Sequence, residues 1–273
     1  MQFPCNLNVT TRSKDIPKMA HQVRPGGQGT WKTSLTLPNI IKMFNPNLIG
    51  YSLRTSLSTE RESQFNVAEG GAISSNMPYM AKILVKRIKM DPRVNLEKDW
   101  KMITHMVGDN DFCSEMCYYK EPEAILAKHK QDLLDVLRIL KTNLPRTIVN
   151  VIPPPQGKGN CFFDLMQKWQ ELDIEISNSP EFDLDDFTVI AHYFTLDYTF
   201  PTTTQGRIDY SYLSEDCFHF SEKGHSRFAN DLWNSIMEPF GNKSTDGSDI
   251  FSKFLCPTEK QPFIFTRRNT PTS

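Results

Sequence analysis

The sequence has almost no net charge: 31 Lys and Arg stand against 32 Asp and Glu, a formal balance of −1 over 273 residues. That excludes a nucleic-acid surface built on bulk positive charge, and no nucleic-acid partner is expected. Long apolar runs are missing too. Nothing approaches the roughly 18 consecutive apolar residues of a membrane span, and the richest stretch, 83–90, is interrupted by Lys86, Arg87 and Lys89. The opening Met1-Gln-Phe-Pro-Cys5 has neither a basic nor an apolar leader region, so no signal peptide is expected there. No His-Glu-x-x-His spacing occurs, and Cys113 and Cys117 are not followed by a second pair at finger spacing. Zinc is therefore the lesser reading of that pair, and no metal or other cofactor is expected.

What is present is an ordinary globule. Hydrophobic residues make up 38% and charged residues 23%, too apolar a balance for a disordered chain. One large domain is the default at this length. Six cysteines (Cys5, Cys113, Cys117, Cys161, Cys217 and Cys256) and two sequons, Asn8-Val-Thr10 and Asn242-Lys-Ser244, point toward a secretory or cell-surface setting.

The first thirty or so residues are polar, broken by Pro25, Gly26, Gly27 and Gly29, and read as an irregular arm. Pro38 can open a short helix over 37–44, and 48–53 is a candidate strand. Apolar residues at 80, 83, 84 and 88 have helical spacing, so 77–89 reads as a helix. Residues 100–107 read as a strand running into Gly108. The strongest helix covers 121–143, with a stripe of Leu126, Leu133, Leu137 and Leu140. Strands follow at 147–152 and 187–194, and a last helix at 222–237. Strands alternating with helices argue for a parallel sheet covered on both faces, whose chemistry lies in loops after the strands.

Three loops qualify. Gly108-Asp-Asn-Asp111 combines a glycine turn with an amide that can donate to a developing oxyanion; it also fits a plain turn. The small-residue loop from Phe65 to Gly71 could serve through backbone N–H groups, and equally as a linker. Asp216 stands three residues before His219 in a loop entering a helix, a spacing that lets the carboxylate orient the imidazole as a general base. The bland alternative is a surface histidine beside a solvated aspartate. His225 reads as structural at the helix start. His105 and His192 fall in strands, His129 on a helix and His21 in the arm, where each reads as a core or surface histidine.

The order of these motifs resembles the SGNH or GDSL hydrolases, and more closely their phospholipase B-like repeats. The stretches that carry the likeness are Thr36-Leu-Pro-Asn-Ile-Ile-Lys-Met-Phe-Asn-Pro46, Asn66-Val-Ala-Glu-Gly-Gly-Ala72 with Met77-Pro78, and Leu96-Glu-Lys-Asp-Trp-Lys101. Gly108-Asp-Asn-Asp-Phe-Cys113, Asp216-Cys-Phe-His-Phe-Ser221 and Met237-Glu-Pro-Phe-Gly241 continue it over most of 30–265. The resemblance implies an α/β fold, a three-layer α/β/α sandwich of flavodoxin-like type with a parallel sheet. It implies His219 as general base, Asp216 as its orienting carboxylate, Gly71 and Asn110 as oxyanion donors, and Gly108 as the shaper of the turn. The implied activity is metal-free hydrolysis of lipid carboxylic esters, with phospholipids or related lipid esters as substrate and a membrane surface as partner.

The sequence departs from that pattern at the nucleophile. It contains no Gly-Asp-Ser-Leu block, and Thr33-Ser-Leu-Thr36 imitates only its tail, with no apolar strand before it. The first core strand is thus expected to be absent, and Ser34 is a poor substitute nucleophile. The segment between Ile152 and Phe187 is short for the family, and Pro153-Pro-Pro155 has no clear place in its pattern. Local pairing of Cys113 with Cys117 and of Cys5 with Cys256 is expected, leaving Cys161 without a partner. The expected organisation is an arm over 1–30, a hydrolase-like domain over 31–265 and a tail over 266–273. The expected function is a phospholipase B-like lipid ester hydrolase, inactive or impaired in this form, in a secreted or apical cell-surface location. A catalytically dead lipid-binding or interaction form and, more remotely, a carbohydrate acetyl esterase are the alternatives.

Overall fold

The computed structural model describes residues 26–113, 121, 123–155, 162–216, 219–247 and 251–271. They form two compact units, one made of 67–197 with 266–268, the other of the remaining described residues.

The first of these units is built on three strands, β1 (Lys101–His105), β2 (Thr147–Val151) and β3 (Phe187–Ala191). They pair in parallel in the order β1-β2-β3, with Ile103 opposite Val149 and Val149 opposite Val189. Parallel neighbours need crossovers. Helix α4 (Ala124–Asn143) lies between β1 and β2 in the chain, and α5 (Phe163–Ser177) between β2 and β3. Every residue of β2 and β3 is buried, which explains why both read as largely β-branched and apolar runs, Asn150 apart. Among the described residues no strand precedes β1.

Helix α2 (Met77–Met90) packs on α4. The inner stripe of α4 is Ile125, His129, Leu133, Val136, Leu137 and Leu140, centred on Ile125 rather than on the half-buried Leu126. Beyond β1 the chain turns through Gly108 into the single-turn helix α3 (Asp109–Cys113). Val107, Phe112, Ile125, Leu165, Met166 and Trp169 make the core beneath that turn.

In the other unit, α1 (Leu37–Ile41) starts with Thr36 accepting from the Asn39 N–H and Pro38 in the first turn, where its missing amide costs nothing. Helix α6 (Glu222–Ile236) is capped by the Ser221 hydroxyl, which accepts from the Gly224 N–H at 3.2 Å. A Cβ on Gly224 would meet the Tyr212 carbonyl oxygen at 2.3 Å, so only glycine fits there. The core of this unit joins Leu35, Ile40, Trp233 and Met237, with Phe44 stacked on Trp233 at 5.4 Å.

Three expectations need correction. Residues 48–53 form no strand: Gly50 takes φ +89, and single backbone bonds to Gly27, Glu62 and Phe65 replace a ladder. His192 lies just past β3, heading a 3₁₀ turn, with its Nε2 3.0 Å from Asn150 Oδ1. Cys113 is a free, exposed thiol, so the local bridge to Cys117 is not formed. The segment after Ile152, over which no element was expected, holds the full helix α5, and the proline carbonyls there are bonded into the fold. The Pro154 carbonyl accepts from Gln170 Nε2 at 2.6 Å and the Pro153 carbonyl from the Thr195 hydroxyl at 2.7 Å. Cys256 is disulfide-bonded; Cys5 and Cys161 lie outside the described residues.

Candidate active site

Asp216 and His219 sit in the loop that feeds α6. Asp216 grips the histidine twice: Oδ1 accepts from the His219 backbone N–H at 3.0 Å, and Oδ2 lies 2.6 Å from the ring Nδ1. The Ser214 hydroxyl donates to Oδ1 at 2.6 Å, and the Ser214 N–H donates to the His219 carbonyl at 2.8 Å. A carboxylate at Nδ1 selects the tautomer with the proton on that nitrogen, which makes Nε2 the basic one. The pair is open to solvent, with 68% of the His219 side chain and 49% of the Asp216 side chain exposed. His225, by contrast, packs edge-on against Phe220 at 5.6 Å, and burial, followed by the charge of His219, pushes its pKa down to about 4. It is a structural histidine.

In the sheet-bearing unit, the structure brings Gly71, Gly108 and Asn110 into one place. Residues 69–72 make a tight turn closed by the Ala72 N–H on the Glu69 carbonyl at 3.3 Å, with Gly71 at φ +76. Asn110 Nδ2 donates to the Ala72 carbonyl at 3.0 Å, which fixes its amide plane beside Gly71. A Cβ built on Gly71 would meet nothing within 4 Å, so the turn faces open space. Gly108 is needed for two reasons. Its φ is +135, and a Cβ there would come within 2.9 Å of Pro154 Cγ and 3.2 Å of the Trp169 indole. Next to Asn110, burial raises the Asp109 carboxyl to about 6.

Ser34 lies in the turn before α1, where its carbonyl accepts from Asn39 Nδ2 at 2.8 Å. Its hydroxyl bonds no histidine or carboxylate among the described residues, so nothing there activates it. Sequence reasoning passed over a buried polar chain: Ser74, His129, Asp173 and Asp111, each at most 3% exposed. Its members come from a loop and three helices, and no spacing in the sequence announces it. Among the described residues no group of three or more His, Cys, Asp or Glu could hold a metal ion.

Residues 19–232 match the GDSL-like Lipase/Acylhydrolase family, and the chain belongs to it. The parallel sheet and its helices are the α/β arrangement expected for that fold. Among curated proteins it is similar to phospholipase B1. It is 36% identical over 280 residues to human "Phospholipase B1, membrane-associated", covering 90% of this chain and 19% of the relative. The rat protein of the same name is 34% identical over 297 residues, covering 94% of this chain and 20% of the relative. The chain thus spans about a fifth of the length of these curated relatives. No solved structure matches.

Proposed function

We propose that this chain carries the base and oxyanion halves of a phospholipase B-like site for hydrolysing lipid carboxylic esters, and that it turns over poorly because the serine block is absent. The observation that carries this reading is the double grip of Asp216 on His219, at 2.6 and 3.0 Å, in a chain of the GDSL-like family. In the full reaction a nucleophile adds to the ester carbonyl while His219 Nε2 takes its proton. The carbonyl oxygen becomes an oxyanion, held by the Gly71 N–H and the Asn110 amide, with Gly108 setting the turn that presents Asn110. Collapse expels the alcohol, which receives the proton from His219, and water then releases the acid. A triad enzyme without its nucleophile loses roughly a million-fold in kcat. What remains is water activated by His219 and binding by the oxyanion loop.

The relatives' names include the words "membrane-associated". No helix among the described residues is long and apolar enough to cross a membrane. The reading we favour is therefore surface contact with a lipid substrate, in a secreted or cell-surface protein. The exposure of Asn242 in the second sequon supports a glycan there. Residues 31–265 would form the hydrolase domain, with the arm before it and the tail after it.

A second reading, a catalytically dead lipid-binding form, is favoured by one observation: among the described residues the Ser34 hydroxyl has no base beside it. Two assays separate them. Under the first reading the chain hydrolyses p-nitrophenyl butyrate weakly, Ser34→Ala leaves the rate unchanged, and a fluorophosphonate probe labels no serine. Total absence of hydrolysis above buffer, with retained binding to phosphatidylcholine vesicles, would establish the second reading instead.

A further inference from the structure

Ser74 opens the 3₁₀ turn that leads into α2, three residues beyond Gly71. Its N–H donates to both oxygens of Asp111 at 3.1 Å, and Asp111 is the residue after Asn110 on α3. Its hydroxyl lies 2.8 Å from His129 Nδ1 on α4, and His129 Nε2 lies 2.7 Å from Asp173 Oδ1 on α5. The His129 ring is stacked on the Trp169 indole at 3.6 Å, which fixes its plane. Burial pushes the Asp173 carboxyl up, so Asp173 and His129 Nε2 share one proton between them while Nδ1 pairs with the Ser74 hydroxyl, and each group in the relay is satisfied.

Serine, histidine and aspartate in hydrogen-bonded series are the parts of a nucleophilic triad, but this one is closed. Ser74 is 3% exposed, and its own N–H, the donor an oxyanion would need, is already taken by the Asp111 carboxylate. A negative charge forming there would face another negative charge. What the relay does touch is the two segments that carry the proposed oxyanion donors, one on each side.

We propose that Ser74, His129 and Asp173, together with Asp111, are positioning residues: a buried clamp that holds the Gly71 turn against α3 and so fixes the spacing of the Gly71 N–H and the Asn110 amide. The inference rests on the oxyanion assignment above. Two bonds set the spacing, the Asn110 amide to the Ala72 carbonyl and the Asp111 carboxylate to the Ser74 amide. Through His129 and Asp173 these are tied to α4 and α5, which do not depend on substrate. Such donors contribute most when they need no rearrangement as charge develops.

The test is hydrogen–deuterium exchange on the full chain, read beside p-nitrophenyl butyrate kinetics. Ser74→Ala is expected to speed exchange over residues 67–76 by about tenfold or more while α4 and α5 stay protected, and to lower kcat with KM unchanged. Asp173→Asn, which keeps the shape but replaces the carboxyl that bonds His129, is expected to act in the same direction and carries the test if Ser74→Ala does not fold. Exchange at 67–76 unchanged in the folded variant, or raised equally in α4 and α5, would overturn the clamp. So would fluorophosphonate labelling of Ser74. Faster exchange at 67–76 with kcat unaltered would keep the clamp and overturn the oxyanion assignment, so the two failures are distinguishable.

Discussion

Asp216 binds His219 through both carboxylate oxygens, Oδ2 at the ring Nδ1 and Oδ1 at the backbone N–H, 2.6 and 3.0 Å away. The second contact matters because both side chains are exposed: a lone surface ion pair contributes little and does not hold a ring in one orientation. Here the backbone bond and the Ser214 hydroxyl place the carboxylate before the ring meets it.

Asp216→Asn leaves the loop's shape but lets the amide favour the wrong histidine tautomer. Hydrolysis of p-nitrophenyl butyrate should fall at least about a hundredfold, while the thermal midpoint shifts by only a few degrees at most, since the pair is solvent-exposed. Comparable rates in wild type and variant would show that Asp216 does not orient the base.

Gly108→Ala forces a side chain into φ +135 and against Pro154 at 2.9 Å. Backbone strain and overpacking together should cost roughly 2–4 kcal/mol, read from urea unfolding. The same change at Gly71, whose Cβ meets nothing within 4 Å, costs only the strain of φ +76.

Burial raises Asp109 to about 6 from 3.8 and, helped by the charge of His129, lowers His105 to about 4 from 6.5. For Asp109 the folded chain keeps a proton that the unfolded chain has released, so this group's contribution to stability falls as pH rises from about 4 to about 6. For His105 the unfolded chain holds the extra proton, so stability rises with pH from about 4 to 6.5. His225, also lowered to about 4, adds to the rise. Asp109→Asn should therefore steepen the climb of the urea midpoint between pH 4 and 6, and His105→Gln should flatten it. Identical profiles in all three proteins would contradict both assignments.

Cys113 is a free, exposed thiol whose pKa is raised by burial and by the neighbouring Asp109. Iodoacetamide should modify it in the native, unreduced protein, slowly at neutral pH and faster as pH rises, because the thiolate is the reactive form. Cys256, disulfide-bonded, should stay unmodified until reduction. Peptide mass mapping reads both.

The β-branched runs at β2 and β3 and the stripe of α4 were legible because each is local and buried on the side its period predicts. Helix α5 was not, since its inner face carries Gln170 and Asp173 beside Leu165 and Trp169, and polar residues on that face blur the stripe. Residues 48–53 have strand-like composition, but Gly50 at φ +89 breaks the pleat. Asp216 and His219 were readable because three residues separate them. Ser74, His129 and Asp173 stand 55 and 44 positions apart, and only the fold brings them together.

The central claim is that a functioning base survives in a chain without the family's serine block. It is tested most directly by kcat/KM for p-nitrophenyl butyrate in wild type and His219→Ala, with folding checked by circular dichroism. A loss of about a hundredfold or more, in a variant that unfolds within a few degrees of wild type, is the predicted result. An unchanged kcat/KM would contradict it.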